Sequence, residues 1–443
     1  MSQLPRYESY KDSGVQWLGE IPNHWNTMAV RRILEEHRQG YYTNEPYIDD
    51  GVKLARITDI QQTSEMDLDN SPRVENKAEL KEFFLKENDF LFARTGGAGS
   101  FGIVRQKDLP AVYASYLIRF RFKENIEAEY LKFFFKSSYF LNSLVANIHG
   151  GVNQNIHAED IKSTFLALPP VEEQKKIANF LNNKVEKVNA LIAKQETLLE
   201  KLAEQRVALI SHAVAKGLNS DVKLQKSKSE ILGLYPETWK VKRLRFEIET
   251  NPSKAEIELN DSELVSFIPM EAVSVGGGLD LSNERMISEV SSGYTYFADG
   301  DVVVAKITPC FENGKASIAE NLHQKIAFGT TELHVLRCKE NLLNKFLFFI
   351  IQSDKFMKYG ESEMYGAGGQ KRVPERFIKN YLIALPSLDE QQQICDFIES
   401  QLSHLDGLVQ KVESTISIFN EYRSTLITQV VTGKIDVRNL KVN

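Results

Sequence analysis

The feature that most narrows what this chain can fold into is an internal duplication. Ala167-Leu168-Pro169-Pro170-Val171-Glu172-Glu173-Gln174 returns as Ala384-Leu385-Pro386-Ser387-Leu388-Asp389-Glu390-Gln391, an offset of 391 − 174 = 217. The same offset carries Arg206 to Arg423, Leu209-Ile210 to Leu426-Ile427, and Val214 to Val431. Upstream, Ile21-Pro22-Asn23-His24-Trp25 answers Tyr235-Pro236-Glu237-Thr238-Trp239 at 239 − 25 = 214. Lys123-Glu124-Asn125 answers Lys339-Glu340-Asn341 at 339 − 123 = 216. The drifting offset means small insertions within one repeated unit. Solenoid repeats run roughly 20–50 residues, so a unit of half the chain reads as two copies of a larger, two-part module. A length of 443 residues, at about 150 per domain, agrees with two to four domains.

The first part of each module is strand-like and aromatic. Asp89-Phe90-Leu91-Phe92-Ala93-Arg94 and Asp301-Val302-Val303-Val304-Ala305-Lys306 read as short buried strands running into loops with Gly or Pro. Helical stretches are expected around Glu127–Leu144 and Leu342–Met357. Strands and helices do not alternate regularly, so the class is mixed α+β. The second part reads as one long helix. It opens after Pro169-Pro170 or Pro386 with an acidic first turn, Glu172-Glu173 or Asp389-Glu390, which suits a helix N-terminus. It runs to Gly217 in one copy and to Gly433 in the other, where Gly407 interrupts it.

Counting 4,3,4,3 along these helices gives apolar positions Ile177, Leu181, Val188, Leu191, Leu198, Leu202 and Leu209. The second copy gives Ile394, Ile398, Leu405, Leu408, Val412, Phe419, Tyr422 and Leu426, in register at the offset of 217. A stripe sustained over more than four heptads argues for a helical partner. The economical solution pairs the two copies as a coiled coil; the alternative is that each helix packs only on its own globular part. Asn219 to Glu230, rich in Lys and poor in apolar residues, reads as an exposed linker.

Composition removes several classes. Lys+Arg number 54 against 60 Asp+Glu, a net charge of −6. A generally basic nucleic-acid coat is excluded, but a local basic face is not. Cys310, Cys338 and Cys395 form no CxxC pair and, with no HExxH, leave no legible metal site. Sparse cysteine fits a reducing cytoplasm. Met1-Ser2-Gln3-Leu4-Pro5-Arg6 lacks a signal-peptide core, and no run of about 18 apolar residues suggests a membrane span.

Candidate catalytic motifs dissolve on inspection. Gly97-Ala98-Gly99-Ser100-Phe101-Gly102 spells GxGxxG, but a dinucleotide site needs a helix to follow, and Ile103 to Pro110 is too short and ends in Pro. Asn44-Glu45-Pro46-Tyr47 resembles the Asn-Pro-Pro-Tyr loop of adenine methyltransferases only by coincidence. Asn313-Gly314-Lys315 is no P-loop, because Ala316 follows the Lys and Pro309 stands where the first Gly is required. What does repeat is a pair of loops. One follows Arg94 (with Thr95 and Ser100) or Lys306 (with Thr308, Asn313 and Lys315). The other carries Asn153, Gln154 and Asn155, or Gln370, Lys371 and Arg372. Amides suit adenine edges, and Arg and Lys suit guanine or phosphate. An ordinary solvated loop is the competing reading of each residue.

Taken with its order of motifs, the chain resembles the specificity (S) subunits of type I restriction–modification systems. Gly19-Glu20-Ile21-Pro22-Asn23-His24-Trp25, Leu168 to Gln174, its echo Leu385 to Gln391, and Thr432-Gly433-Lys434-Ile435 carry the resemblance, which covers essentially the whole chain. One departure between copies is Pro170 against Ser387. The resemblance implies target-recognition domains at 1–167 and 234–385, helical regions at 168–218 and 386–443 running antiparallel, and a linker at 219–233. It implies a non-catalytic, cytoplasmic subunit that reads a bipartite asymmetric site on double-stranded DNA. Its partners would be two modification (methyltransferase) subunits and the restriction (translocase) subunits. AdoMet would sit on the former, ATP and Mg on the latter, and no cofactor on this chain. The rival readings are a duplicated nucleotide- or AdoMet-dependent enzyme and a coiled-coil scaffold without DNA contact.

Overall fold

The computed structural model describes residues 4–95, 99–147, 156–254, 260–367 and 369–440. The chain forms two compact units. One comprises Met1–Gln195 with Ser414–Asn443, and the other Glu196–Glu413.

In the first unit a four-stranded antiparallel sheet runs in the order Leu34–Gln39, Leu117–Phe122, Phe90–Ala93, Phe101–Ile103. Helices α1 (Ala128–Lys136) and α2 (Ser138–Asn147) follow it, then the short α3 (Ala158–Ser163). The core is built of rings: Phe92 meets Phe135 edge-on at 5.1 Å, and Phe135 meets Phe140 at 4.8 Å. Edge-to-face pairs of this kind add about 0.5–1.5 kcal/mol beyond the area they bury. The helical stretch expected around Glu127–Leu144 consists of two helices divided at Ser137. Its extended backbone ends α1, and its Oγ accepts the Phe140 N–H at 3.2 Å, starting α2. A three-stranded sheet, Arg73–Val74, Val52–Ala55 and Ala111–Tyr113, holds a smaller core.

The second unit repeats the antiparallel sheet as Ile248–Thr250, Leu333–Cys338, Val302–Ala305, Ala316–Ile318. The short α5 (Ile287–Val290) is followed by α6 (Asn344–Ile351), α7 (Asp354–Ser362) and α8 (Glu375–Asn380). One buried ion pair recurs. Asp89 accepts from Arg121 Nε and Nη2 at 2.8 and 2.7 Å, and Asp301 from Arg337 Nε and Nη2, both at 2.8 Å. Inside the segment expected to be a linker, Leu224–Lys226 pairs with Leu234–Pro236. That hairpin is the counterpart of Tyr10–Asp12 with Glu20–Pro22. Its three residues are exposed and polar enough to read as linker; the pairing comes from backbone bonds that composition does not show.

The long helices are α4 (Val171–Lys216) and α9 (Leu388–Val431), of 46 and 44 residues. At about 1.5 Å per residue, each is roughly 66–69 Å long. Both end where the sequence places them, beside Gly217 (φ +72) and Gly433 (φ +74), the left-handed geometry of a helix C-terminus. Their starts are fixed by one residue of the repeated motif. Gln174 is buried; its Oε1 accepts the Glu127 N–H at 2.9 Å and its Nε2 donates to the Pro169 carbonyl at 2.9 Å. Gln391 does the same with Leu343 N–H (2.9 Å) and Pro386 O (3.1 Å), and also reaches Asn341 O (2.9 Å). The amide thus ties each long helix to the helix that follows its sheet.

The shielded stripe differs from the strict heptad count. In α4 it runs Ile177, Leu181, Val185, Val188, Ile192, Gln195, Leu199, Leu202, Arg206, Leu209, and in α9 it is the same stripe shifted by 217. Leu191 and Leu198, expected in the seam, are 42% exposed, and Tyr422 is 38% exposed; Leu408 falls beside the stripe as well. Ile192, Leu199, Arg423 and Val409 take their places. The stripe opens with two four-residue steps, 177–181–185, because the first turns lie on a globular core and follow a straight helix. Eleven residues in three turns match 3.6 residues per turn better than a heptad does. The remaining steps alternate 3 and 4.

Candidate nucleic-acid interface

In the second unit the two loops singled out come together. In the second unit the strand Val302–Ala305 delivers Lys306, whose N–H donates to Glu332 O and whose carbonyl accepts from Val373 N–H, at 2.9 and 2.8 Å. Thr308 closes the contact: its N–H donates to Lys371 O (3.0 Å), its Oγ1 to Gly369 O (2.6 Å), and it accepts the Lys371 N–H (3.0 Å). Arg372 bridges Ile307 on one side and Tyr365 on the other. Between Tyr365 and Arg372 the chain turns through Gly366 (φ +134), where an added Cβ would lie 2.6 Å from the Gln370 carbonyl. Gln370 and Lys371 are exposed at this tip.

The charges here are not equivalent. Arg372 Nε and Nη2 donate to Glu332 Oε2 and Oε1 at 2.9 and 2.8 Å. That guanidinium holds the Glu332 carboxyl below the ordinary carboxylate range. Lys315 turns inward and donates to Met270 O at 3.0 Å, while Asn313 stays exposed. Beneath the loops His334 is buried and donates from Nε2 to Val373 O at 2.9 Å. Burial pushes its imidazole below its usual value, so it is neutral at pH 7.

The first unit repeats the backbone frame. Arg94 N–H donates to Tyr116 O, and Arg94 O accepts from Ile156 N–H, both at 2.9 Å. Arg94 and Thr95 are half-buried and Ser100 is exposed. Asn153, Gln154 and Asn155 lie outside the described residues. Gly102, the last glycine of GxGxxG, sits in a strand rather than before a helix; its absent Cβ would be 2.1 Å from Met66 Sδ. Sequence reasoning missed Tyr116 (60% exposed), Tyr365 (62% exposed) and Glu332. Tyr116 and Glu332 are repeat partners at 332 − 116 = 216, and that alignment was the available signal. Among the described residues no group of three His, Cys, Asp or Glu side chains could hold a metal ion. Nor, among them, is any helix long and apolar enough to cross a membrane.

The family model for the type I restriction modification DNA specificity domain matches the chain twice, over residues 25–201 and 236–416. The chain belongs to that family. It is 38% identical over 240 residues to the type I restriction enzyme EcoAI specificity subunit of Escherichia coli, a stretch covering 51% of this chain and 40% of that relative. The EcoEI specificity subunit of Escherichia coli matches at 37% over 51% of this chain and 39% of its own length. This chain therefore spans about two fifths of the length of these two relatives. The putative MjaX specificity subunit of Methanocaldococcus jannaschii matches end to end, at 24% identity over 98% of this chain and 99% of its own. Among solved structures, a chain from a study of complex assembly and conformational transition of the type I R-M system superposes with a TM-score of 0.70. It is 15% identical, covering 94% of this chain and 99% of that one. The HsdS subunit from Thermoanaerobacter tengcongensis superposes at 0.53, also 15% identical, over 94% and 98%. At that identity the likeness is one of fold.

Proposed function

We propose that this chain is the sequence-reading subunit of a type I restriction–modification complex, with target-recognition domains at 1–167 and 234–385, each reading one half of a bipartite DNA site. The observation that carries this is the repeated loop frame. In each unit a strand-end basic residue is held by its backbone on both sides, Arg94 by Tyr116 and Ile156 and Lys306 by Glu332 and Val373, beside exposed polar groups and an exposed tyrosine. Directional donors on rigid strand ends are what base edges and phosphates require.

The long helices are the spacer and the docking surface. Two contacts support an antiparallel course: Arg206 with Asp406 in one unit, and Asn189 with Arg423 in the other. Numbers rise on one helix as they fall on the other. Two methyltransferase subunits would dock here, carrying AdoMet and flipping the target adenines out of the stack. Restriction subunits would bring ATP and Mg. This chain itself performs no chemistry and works in the cytoplasm.

The test is methylome sequencing of cells carrying this chain with its methyltransferase partner. A bipartite motif with two different half-sites is expected. Replacing residues 234–385 by those of a relative should change one half-site only. Absence of any sequence-specific methylation or DNA binding by the assembled complex would refute the reading.

A further inference from the structure

Resting on that function, we infer that Arg372, positioned by Glu332, reads a guanine in the half-site contacted by the second unit, rather than a phosphate. An arginine has five N–H donors. Two of the five, on Nε and Nη2, are committed to the Glu332 carboxylate at 2.9 and 2.8 Å. The three that remain lie on the Nη1–Nη2 end, where two point parallel, a match for the O6 and N7 acceptors of guanine in the major groove. The ion pair also decides against phosphate. A carboxylate 2.8 Å away cancels most of the long-range positive charge and repels a second anion, yet leaves the direction of the donors intact. Phosphate anchoring needs the charge; base reading needs the direction.

The backbone is equally fixed. Tyr365 and Arg372 exchange both N–H···O bonds, at 3.2 and 2.9 Å, so they stand opposite each other with side chains on the same face. Ile307 pairs Arg372 from the other side. The guanidinium keeps 40% of its side-chain surface exposed and Glu332 keeps 25%, so the pair is open at its outer end. Little rotamer freedom is left to lose on binding. In the repeat alignment of the sequence, Tyr116 corresponds to Glu332 and Asn155 to Arg372 (372 − 155 = 217). The carboxylate clamp therefore belongs to one half-site.

The test uses the full chain assembled with its methyltransferase partner, after the methylome has defined the site. Binding is measured to duplexes in which each base pair of the second half-site is changed in turn, across a salt series. The wild type should prefer G at one position by roughly 10- to 100-fold. Arg372→Ala should reduce that preference to a few-fold at that position alone, with the salt slope unchanged. The nearly isosteric Glu332→Gln should weaken the same preference, and serves if Arg372→Ala does not assemble. Loss of affinity equal on all duplexes, with a salt slope shallower by about one, would make Arg372 a phosphate contact and overturn the inference. Unchanged discrimination in both variants would overturn it as well. A wild-type complex that binds no duplex specifically would instead refute the proposed function.

Discussion

Arg206 Nη1 donates to Asp406 Oδ1 at 2.5 Å, and its repeat counterpart Arg423 Nη1 donates to Asn189 Oδ1 at 2.5 Å. Both partners obey the repeat: 206 + 217 = 423 and 189 + 217 = 406. One device is used twice, charged in one unit and half-charged in the other. Asn189→Asp should turn the second into an ion pair. The gain is expected to be about 0.2–1 kcal/mol in low salt, because the pair is solvent-exposed. It should shrink near 1 M salt, where screening acts over about 3 Å. Urea midpoints at the two salt concentrations check this, and Asp406→Asn should show the converse.

Gln391 is fully buried and its amide makes three hydrogen bonds, to Leu343 N, Asn341 O and Pro386 O. Gln391→Leu leaves a buried N–H and two carbonyls without that partner. A loss of about 2–4 kcal/mol is expected, seen as a lower denaturation midpoint. An exposed neighbour, Gln392→Leu, should move it little.

How far the sequence reveals such contacts depends on their span. The duplication, the boundaries of α4 and α9 and the strands after Asp89 and Asp301 were legible, because Pro, Gly and short apolar runs act locally. The seam lies one residue from the heptad count at Leu191, Leu198, Leu408 and Tyr422. A heptad count from Ile177 assumes a partner helix from the first turn, where a globular core lies instead. The Arg372–Glu332 pair spans 40 residues and joins two loops through a strand ladder, so no spacing rule reports it. Gln174 and Gln391 stood inside the repeated motif, but their role as ties between helices appears only once the helices after each sheet are placed.

Lys136 gives a pH signature. Burial, helped by Lys132, pushes its ammonium from an ordinary value near 10.5 down to about 8. In the folded chain the neutral form is favoured, so the unfolded chain binds more protons between those values. Stability from this group should rise as pH climbs from about 8 to 10.5. Cys338 and Cys395, whose thiols burial holds up to about 12, act in the opposite sense as pH rises past 9. The readout is therefore the difference between wild type and Lys136→Met. The stability of wild type relative to Lys136→Met, which also loses the Lys136 Nζ bond to Thr63 O at 2.8 Å, should rise through the window and be flat below pH 8. A difference that stays flat across it would show that Lys136 is charged in the folded chain.

Four helix-forming residues inserted after Lys194 should lengthen α4 by about 6 Å. A four-residue insertion is a stutter that only locally unwinds a helix pair, so the fold should survive. With base pairs about 3.4 Å apart, the gap between half-sites should grow by one or two pairs while both half-site sequences stay the same. Methylome sequencing of this variant decides the point; an unchanged gap in an active variant would mean that the helices are not the spacer.

The first unit is discontinuous. Its largest core joins Trp25, Phe134 and Ile177 to Leu426, Val430, Val431 and Ile435, whereas the second unit is the unbroken stretch Glu196–Glu413. On the ribosome this reverses the usual order of maturation, in which what emerges first closes first. The half made first waits, with apolar surface uncovered, for Ser414–Asn443 to leave the exit tunnel, while the half made second can already be complete. Nascent chains arrested with residue 413 exposed should resist protease across Glu196–Glu413 and be cut before it. The segment up to Gln195 is the part that most needs a chaperone, and Ser414–Asn443 is what releases it.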